Sequence, residues 1–228
     1  MGLRDDKKQA TRTAIADAAL ALFLEKGFDR VTVAEVGRAA NVSVNTVFNY
    51  FPTKEDLFFD RQDEVVQRLA HAVRDRGPGE TPAAAVHRAF LERLDRDDAT
   101  LGLDPGAARF WRVVDDSPAL LARARLLREL TEEALATALT AAAPTATTLT
   151  AAAPTATTLT ATTLPAAAPP DAASLASGHL AAALLSAADH ALHAEIRRRI
   201  TRGESPESVR AVIRATAGRV FAVLSGVS

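Results

Sequence analysis

Between Gly27 and Thr53 the chain carries helix stop and start signals so closely spaced that only short helices fit between them. Thr32 caps the first, with Glu35 three residues on as a capping box. Its apolar face is Val33, Val36 and Ala40. Asn41 follows, the non-glycine residue type that most readily takes positive φ, so a tight turn is expected there. Ser43 then caps a second short helix running through Phe51, and Pro52 stops it. Thr53 caps a further helix, with Lys54, Glu55 and Asp56 in its first turn, expected to continue to about Arg74.

Upstream, residues 11 to 26 read as a helix. Ile15, Ala18, Ala19, Leu22 and Phe23 recur on one face of a 3.6-residue period. Thr11 or Thr13 is the expected cap, and Gly27 ends the helix. A helix, a tight turn and a second helix near the N-terminus form a helix-turn-helix pattern. Within Ser43 to Phe51, the period turns Val47, Tyr50 and Phe51 toward a core. It turns Val44, Asn45, Phe48 and Asn49 away. Asn45 and Asn49 are four apart and share a face. Asn amides pair bidentately with adenine in the major groove, so such a face suits base reading better than plain solvent exposure.

After a Gly77-Pro78-Gly79 break, helices are expected over 82 to 98, 105 to 115, 118 to 138, 172 to 202 and 206 to 225. No strand pattern is evident. The expected fold is all-α, with about nine helices. A three-helix helix-turn-helix domain occupies 1 to 56, and a larger helical domain occupies 57 to 228. Residues 140 to 170 contain only Ala, Thr, Pro and Leu, and TAAAPTATTL is repeated letter for letter at 140 to 149 and 150 to 159. Five prolines argue against a membrane span, and a low-complexity loop is expected.

The 228 residues have a formal net charge of -1 and no Cys. Disulfides, thiolate nucleophiles and Cys metal sites are thereby excluded. Near-zero charge means that any contact with nucleic acid must come from locally placed groups. With no N-terminal signal evident, a cytoplasmic location is expected. No cofactor and no metal is expected. His190 and His193 share a helix face, but no third ligand stands at a compatible spacing.

Residues 11 to 58 resemble the N-terminal domain of the TetR family. The resemblance rests on Gly27-Phe28, Thr32, Val42-Ser43, the aromatic run Phe48 to Phe51, and Lys54. It implies a homodimeric DNA-binding transcriptional regulator, a repressor that a small-molecule ligand releases from a palindromic operator, and not an enzyme. It implies DNA contacts from Thr32, Ser43, Val44, Asn45, Thr46, Phe48, Asn49 and Lys54. Thr32 and Lys54 would meet phosphates, the latter at a helix N-terminus. Arg4, Lys7, Lys8 and Arg12 are candidates for a flanking arm. The sequence departs from the family at Phe48, where Tyr is usual, at Asn41, where Gly is usual, and at Gly37, where Ala is usual.

The resemblance also implies an effector pocket between the middle helices, for which His87, Phe90, Arg109, Phe110 and Trp111 are the candidates. Dimerisation is expected through the last two helices. There Leu180, Leu184, Ala187, Ala191 and Ala194 form one stripe, and Val209, Val212, Ile213, Thr216, Val220, Val223 and Leu224 form another. Plainer explanations stand beside these roles. Thr32 and Ser43 are accounted for as caps, Lys54 as a solvated helix end, and the middle aromatics as ordinary core. An architectural DNA-binding protein without a ligand, or a small helical enzyme or carrier, remains open.

Overall fold

The computed structural model of the chain describes residues 2–104, 106–141 and 172–225. These hold ten α-helices: α1 (Leu3–Lys26), α2 (Val33–Ala39), α3 (Val44–Tyr50), α4 (Lys54–Phe58), α5 (Gln62–Arg74), α6 (Pro82–Asp95), α7 (Ala107–Asp115), α8 (Pro118–Ala141), α9 (Ala172–Thr201) and α10 (Pro206–Ser225). A single 3₁₀ turn, Ala99–Leu101, precedes α7, and no strand occurs among the described residues. The expected low-complexity loop lies outside the described residues beyond Ala141. Thr140 and Ala141 themselves complete α8.

Several boundaries shift by two or three residues, α6 ending at Asp95 and α8 at Ala141, and two differ by more. Helix α1 begins at Leu3 rather than near Thr11, because Asp5 and Asp6 fill its first turn and favour a helix N-terminus there. Thr11 is therefore interior, and its hydroxyl donates to the Lys7 carbonyl. The helix after Thr53 is also interrupted. It stops at Phe58, and α5 restarts at Gln62, whose N–H bonds the Phe59 carbonyl at 3.0 Å. That break raises the helix number from the nine expected to ten.

The buried apolar residues form two clusters. The first gathers Ile15, Ala19, Phe23, Phe28, Val36, Val47, Phe51, Leu57 and Phe58, with Val113, Val114 and Leu120 from α7 and α8. Phe23 and Phe28 lie 5.0 Å apart, Phe28 meets Phe58 edge-on at 6.1 Å, and Phe58 stacks on Phe110 at 4.5 Å. Each such pair adds roughly 0.5–1.5 kcal/mol beyond its burial. The aromatic chain ties α1 to α7, so the short N-terminal helices do not swing freely. The second cluster packs α5, α6, α8, α9 and α10 around Phe90, Leu94, Leu135, Leu192, Ile196, Ile213 and Phe221.

Helix α10 corrects one expectation. Val209 and Ile213, on the stripe expected at the dimer interface, are fully buried in the same chain, with Ala217 and Phe221 beside them. Helix α10 packs on α6 and α9 and thereby covers that side. Its uncovered apolar positions are instead Ala211, Ala215, Ala222 and Val223, interspersed with exposed Arg214 and Arg219. On α9 all five stripe residues, Leu180, Leu184, Ala187, Ala191 and Ala194, are exposed.

Candidate nucleic-acid interface

The turn between α2 and α3 is as tight as the sequence suggests. Asn41 has φ of 55°, and the Val42 N–H bonds the Gly37 carbonyl at 2.8 Å. A Cβ at Gly37 would meet the Val42 carbonyl oxygen at 3.0 Å. The missing side chain therefore lets α2 approach the turn closely, which offsets the helix propensity lost with it. Ser43 accepts from the Thr46 N–H at 3.0 Å and shares a hydroxyl bond of 2.7 Å with Thr46.

Helix α3 is anchored by Val47 and followed by Phe51, both almost wholly buried. The same period exposes Val44, Asn45, Phe48 and Asn49, with Phe48 at 45% and Val44 at 39%. Phe48 and Val44 are among only a few large apolar side chains left open in the described residues. Beside two exposed Asn amides, they make a surface able to take base edges and thymine methyl groups. Tyr50 is half-buried.

Other predicted contacts are engaged within the protein. Thr32 is an exposed cap that accepts from the Glu35 N–H at 3.2 Å and gives its own hydroxyl proton to the Glu35 carboxylate at 2.9 Å. Hydrogen bonds from the Thr32 backbone and side chain, with Lys26 at 3.1 Å, hold the Glu35 carboxyl down at about 2. A full negative charge thus sits at the N-terminus of α2, where a phosphate would otherwise be drawn. Lys54 is half-buried, with its ammonium 4.3 Å from the Phe28 ring centre. Burial lowers its pKa, against the opposing pull of Asp29, Glu55 and Glu35.

Arg12 does not extend as an arm. Its guanidinium donates to the Tyr50 carbonyl at 2.9 Å and to the Asp60 carbonyl at 3.1 Å, and lies 4.3 Å from the Phe51 ring centre. It therefore satisfies the C-terminal end of α3 from α1. Lys7 and Lys8 are exposed on α1. No signal in the sequence distinguished Arg12 from its basic neighbours, because its partner is a carbonyl 38 residues away.

The effector candidates are not brought together at one place. His87 stacks on Phe221 at 5.1 Å, and Phe90 meets His193 edge-on at 5.9 Å, both in the second cluster. Arg109 reaches away to the Leu24 carbonyl at 2.9 Å, and Phe110 belongs to the first cluster. Trp111 borders both clusters, under the Arg197 guanidinium at 4.8 Å. Among the described residues no three His, Asp or Glu side chains converge on a metal position, and no helix is long and apolar enough to cross a membrane.

Residues 15–60 match the sequence profile of bacterial regulatory proteins, tetR family. The chain is 34% identical over 125 residues to the HTH-type transcriptional regulator TcmR of Streptomyces glaucescens, covering 53% of this chain and 55% of that protein. It is 32% identical over 93 residues to the HTH-type transcriptional repressor AcnR of Corynebacterium glutamicum, covering 41% and 47%. In each case the match spans about half the length of the curated relative. Among solved structures, native NalD, the secondary repressor of the MexAB-OprM multidrug efflux pump in Pseudomonas aeruginosa, superposes with a TM-score of 0.52. That match is 19% identical and covers 93% of this chain and 97% of NalD, which establishes likeness of fold.

Proposed function

We propose that the chain, whose residues 15–60 match the tetR-family profile of bacterial regulatory proteins, is a sequence-specific DNA-binding transcriptional regulator of that family. In this reading it is a repressor that leaves a palindromic operator when a small molecule binds. Residues 1–56 read the DNA, and 57–228 carry the effector and dimer functions. The observation that carries the reading is the solvent face of α3. Asn45 and Asn49 stand exposed with Val44 and Phe48, on a helix locked from behind by Val47 and Phe51.

Two copies pairing through α9 and α10 would set two such faces in successive major grooves. Support comes from the exposed stripe Leu180, Leu184, Ala187, Ala191 and Ala194 and from Ala211, Ala215, Ala222 and Val223. Small residues allow close helix approach, and Leu180 at 64% and Val223 at 68% exposure are costly to leave in water.

The effector acts by binding the operator-bound and released conformations unequally. Several contacts connect the N-terminal helices to the rest of the chain: Phe58 on Phe110, Arg109 to Leu24, and Ser117 to Asp29 at 3.2 Å. A band-shift with the DNA upstream of the chain's own coding region tests the reading. A sequence-specific complex at physiological salt is expected, and its absence overturns it. Release of that complex by a small molecule separates a ligand-gated repressor from an architectural protein.

A further inference from the structure

Helix α9 is mostly Ala and Leu, yet one of its buried faces is polar. Ser186, Asp189 and His193 fall at i, i+3 and i+7, and Ser186 and Asp189 are 1% and 0% exposed. Arg68 of α5 donates one Nη2–H to Asp189 Oδ2. His193 is bonded at both ring nitrogens: Nδ1 donates to the Asp189 carbonyl at 2.7 Å, and Nε2 lies 3.5 Å from Arg93 Nη2 of α6. Arg93 also donates to Thr100 Oγ1 at 2.7 Å, and Asp98 lies 3.6 Å from its Nε.

The middle of this network is unmet. Asp189 Oδ1, Arg68 Nε and Ser186 Oγ are each buried and have no hydrogen-bond partner among the described residues. A pair kept only for stability would close the Arg68 fork on both carboxylate oxygens, the stronger arrangement. Here the pair meets only through Nη2 and Oδ2, so one donor of the fork and one oxygen of the carboxylate stay unbonded, with the Ser186 hydroxyl one turn away on the same helix. The second apolar cluster includes Leu185 and Leu192 of the same helix and Phe90 of α6, whose ring meets His193 edge-on at 5.9 Å.

The charges of the cluster largely cancel. Asp189 offsets Arg68, and Asp98 offsets Arg93. Burial, reinforced by the two arginines, keeps His193 neutral. An anion would meet Asp189, and a cation would meet two guanidinium groups, so an uncharged molecule suits the site best. From this cluster we infer that the effector is an uncharged molecule with an apolar body and a polar end that sets a hydrogen-bond donor beside a carbonyl acceptor, as a lactam or imide does. Its N–H donates to Asp189 Oδ1, its carbonyl accepts from Arg68 Nε, and Ser186 supplies a third bond. The inference rests on the reading of the chain as an effector-gated regulator. Arg68 lies on α5, the helix that follows α4 in the chain, so an occupant between α5 and α9 bears on the helix that leads back to α3.

The test titrates the full chain with 2-quinolone, a flat cis-lactam, and with N-methyl-2-quinolone, which lacks the donor. Saturable binding of 2-quinolone is expected, about tenfold or more tighter than the N-methyl compound, the weight of one unmet buried donor. Asp189→Asn presents an amide N–H where the lactam N–H must donate, and abolishes that preference. Ser186→Ala, which removes an unbonded hydroxyl and leaves folding intact, weakens 2-quinolone several-fold. Equal affinity for the two compounds, no binding of either, or an unchanged preference in both variants overturns the inference. A band-shift on the same preparations keeps the two ideas apart. Intact DNA binding without quinolone binding removes the effector assignment alone, and lost DNA binding removes the regulator reading.

Discussion

Arg123 of α8 donates to Asp56 Oδ1 at 2.6 Å, joining α4, the helix that follows α3, to the larger part of the chain. Gln62, at the start of α5, completes the junction by donating to the same carboxylate oxygen at 2.8 Å and accepting from Arg123. Burial pushes the Asp56 carboxyl up, but bonds from Gln62 and Thr53 and the charge of Arg123 more than reverse it.

Arg123→Ala leaves this nearly buried carboxylate without its cation. We expect a stability loss of about 1–3 kcal/mol by urea unfolding. A double-mutant cycle with Asp56→Asn should show a coupling of at least about 0.5 kcal/mol. Additive losses would mean that the two side chains are neighbours without being partners.

Lys54→Met keeps the apolar stem over Phe28 and removes the charge. A loss of roughly 0.5–1 kcal/mol of stability is expected from the cation–π contact. If Lys54 also meets a phosphate, affinity falls alike for all DNA sequences, and the slope of log K against log salt flattens by about one. An unchanged slope would confine Lys54 to packing.

The buried charges predict acid sensitivity. His193 is held from 6.5 down to about 4 in the fold, chiefly by burial, so between those values the unfolded chain takes a proton that the folded chain refuses. Stability is therefore full above about pH 6.5 and declines toward pH 4. The ceiling is roughly 3 kcal/mol from this one group. Asp189, lowered to about 2, adds a loss of the same sense below 3.8. His190 and His87, also lowered by burial, act in the His193 window. His193→Gln should flatten the decline measured by urea unfolding at pH 7 and pH 4.5. Equal wild-type stability at the two pH values would contradict a buried neutral imidazole.

Leu184 is 47% exposed on α9, so Leu184→Asp should leave the folded protomer within about 0.5 kcal/mol of wild type. Sedimentation is expected to show a dimer for the wild type and a monomer for the variant. A variant dimer of unchanged affinity would move the interface away from α9.

Local chemistry made the N-terminal helices legible. Thr32, Ser43 and Thr53 cap the helices assigned to them, and Asn41 makes its turn, because each signal acts within three or four residues. Long-range partnerships left no such trace. Arg12 spends its guanidinium on α3, Arg109 on Leu24, and Arg68 on a carboxylate 121 residues away. The α10 pattern showed that Val209 and Ile213 must be buried, but periodicity carries no information on whether α6 or a second chain covers them. The exposed face of α3, proposed to read DNA, was visible because helical period alone separates Asn45 and Asn49 from Val47 and Phe51.

The central claim is that α3 reads base edges as one half of a symmetric pair. The most direct measurement is a footprint of the full chain on the DNA upstream of its own coding region, repeated with Asn45→Ala and Asn49→Ala. A protected palindrome is expected, with half-sites about 34–36 Å apart or a multiple of that spacing. Each variant should lose roughly 1–3 kcal/mol of preference for that site over unrelated DNA while keeping its fold. Protection without two-fold symmetry, or an unchanged preference in both variants, would contradict the claim.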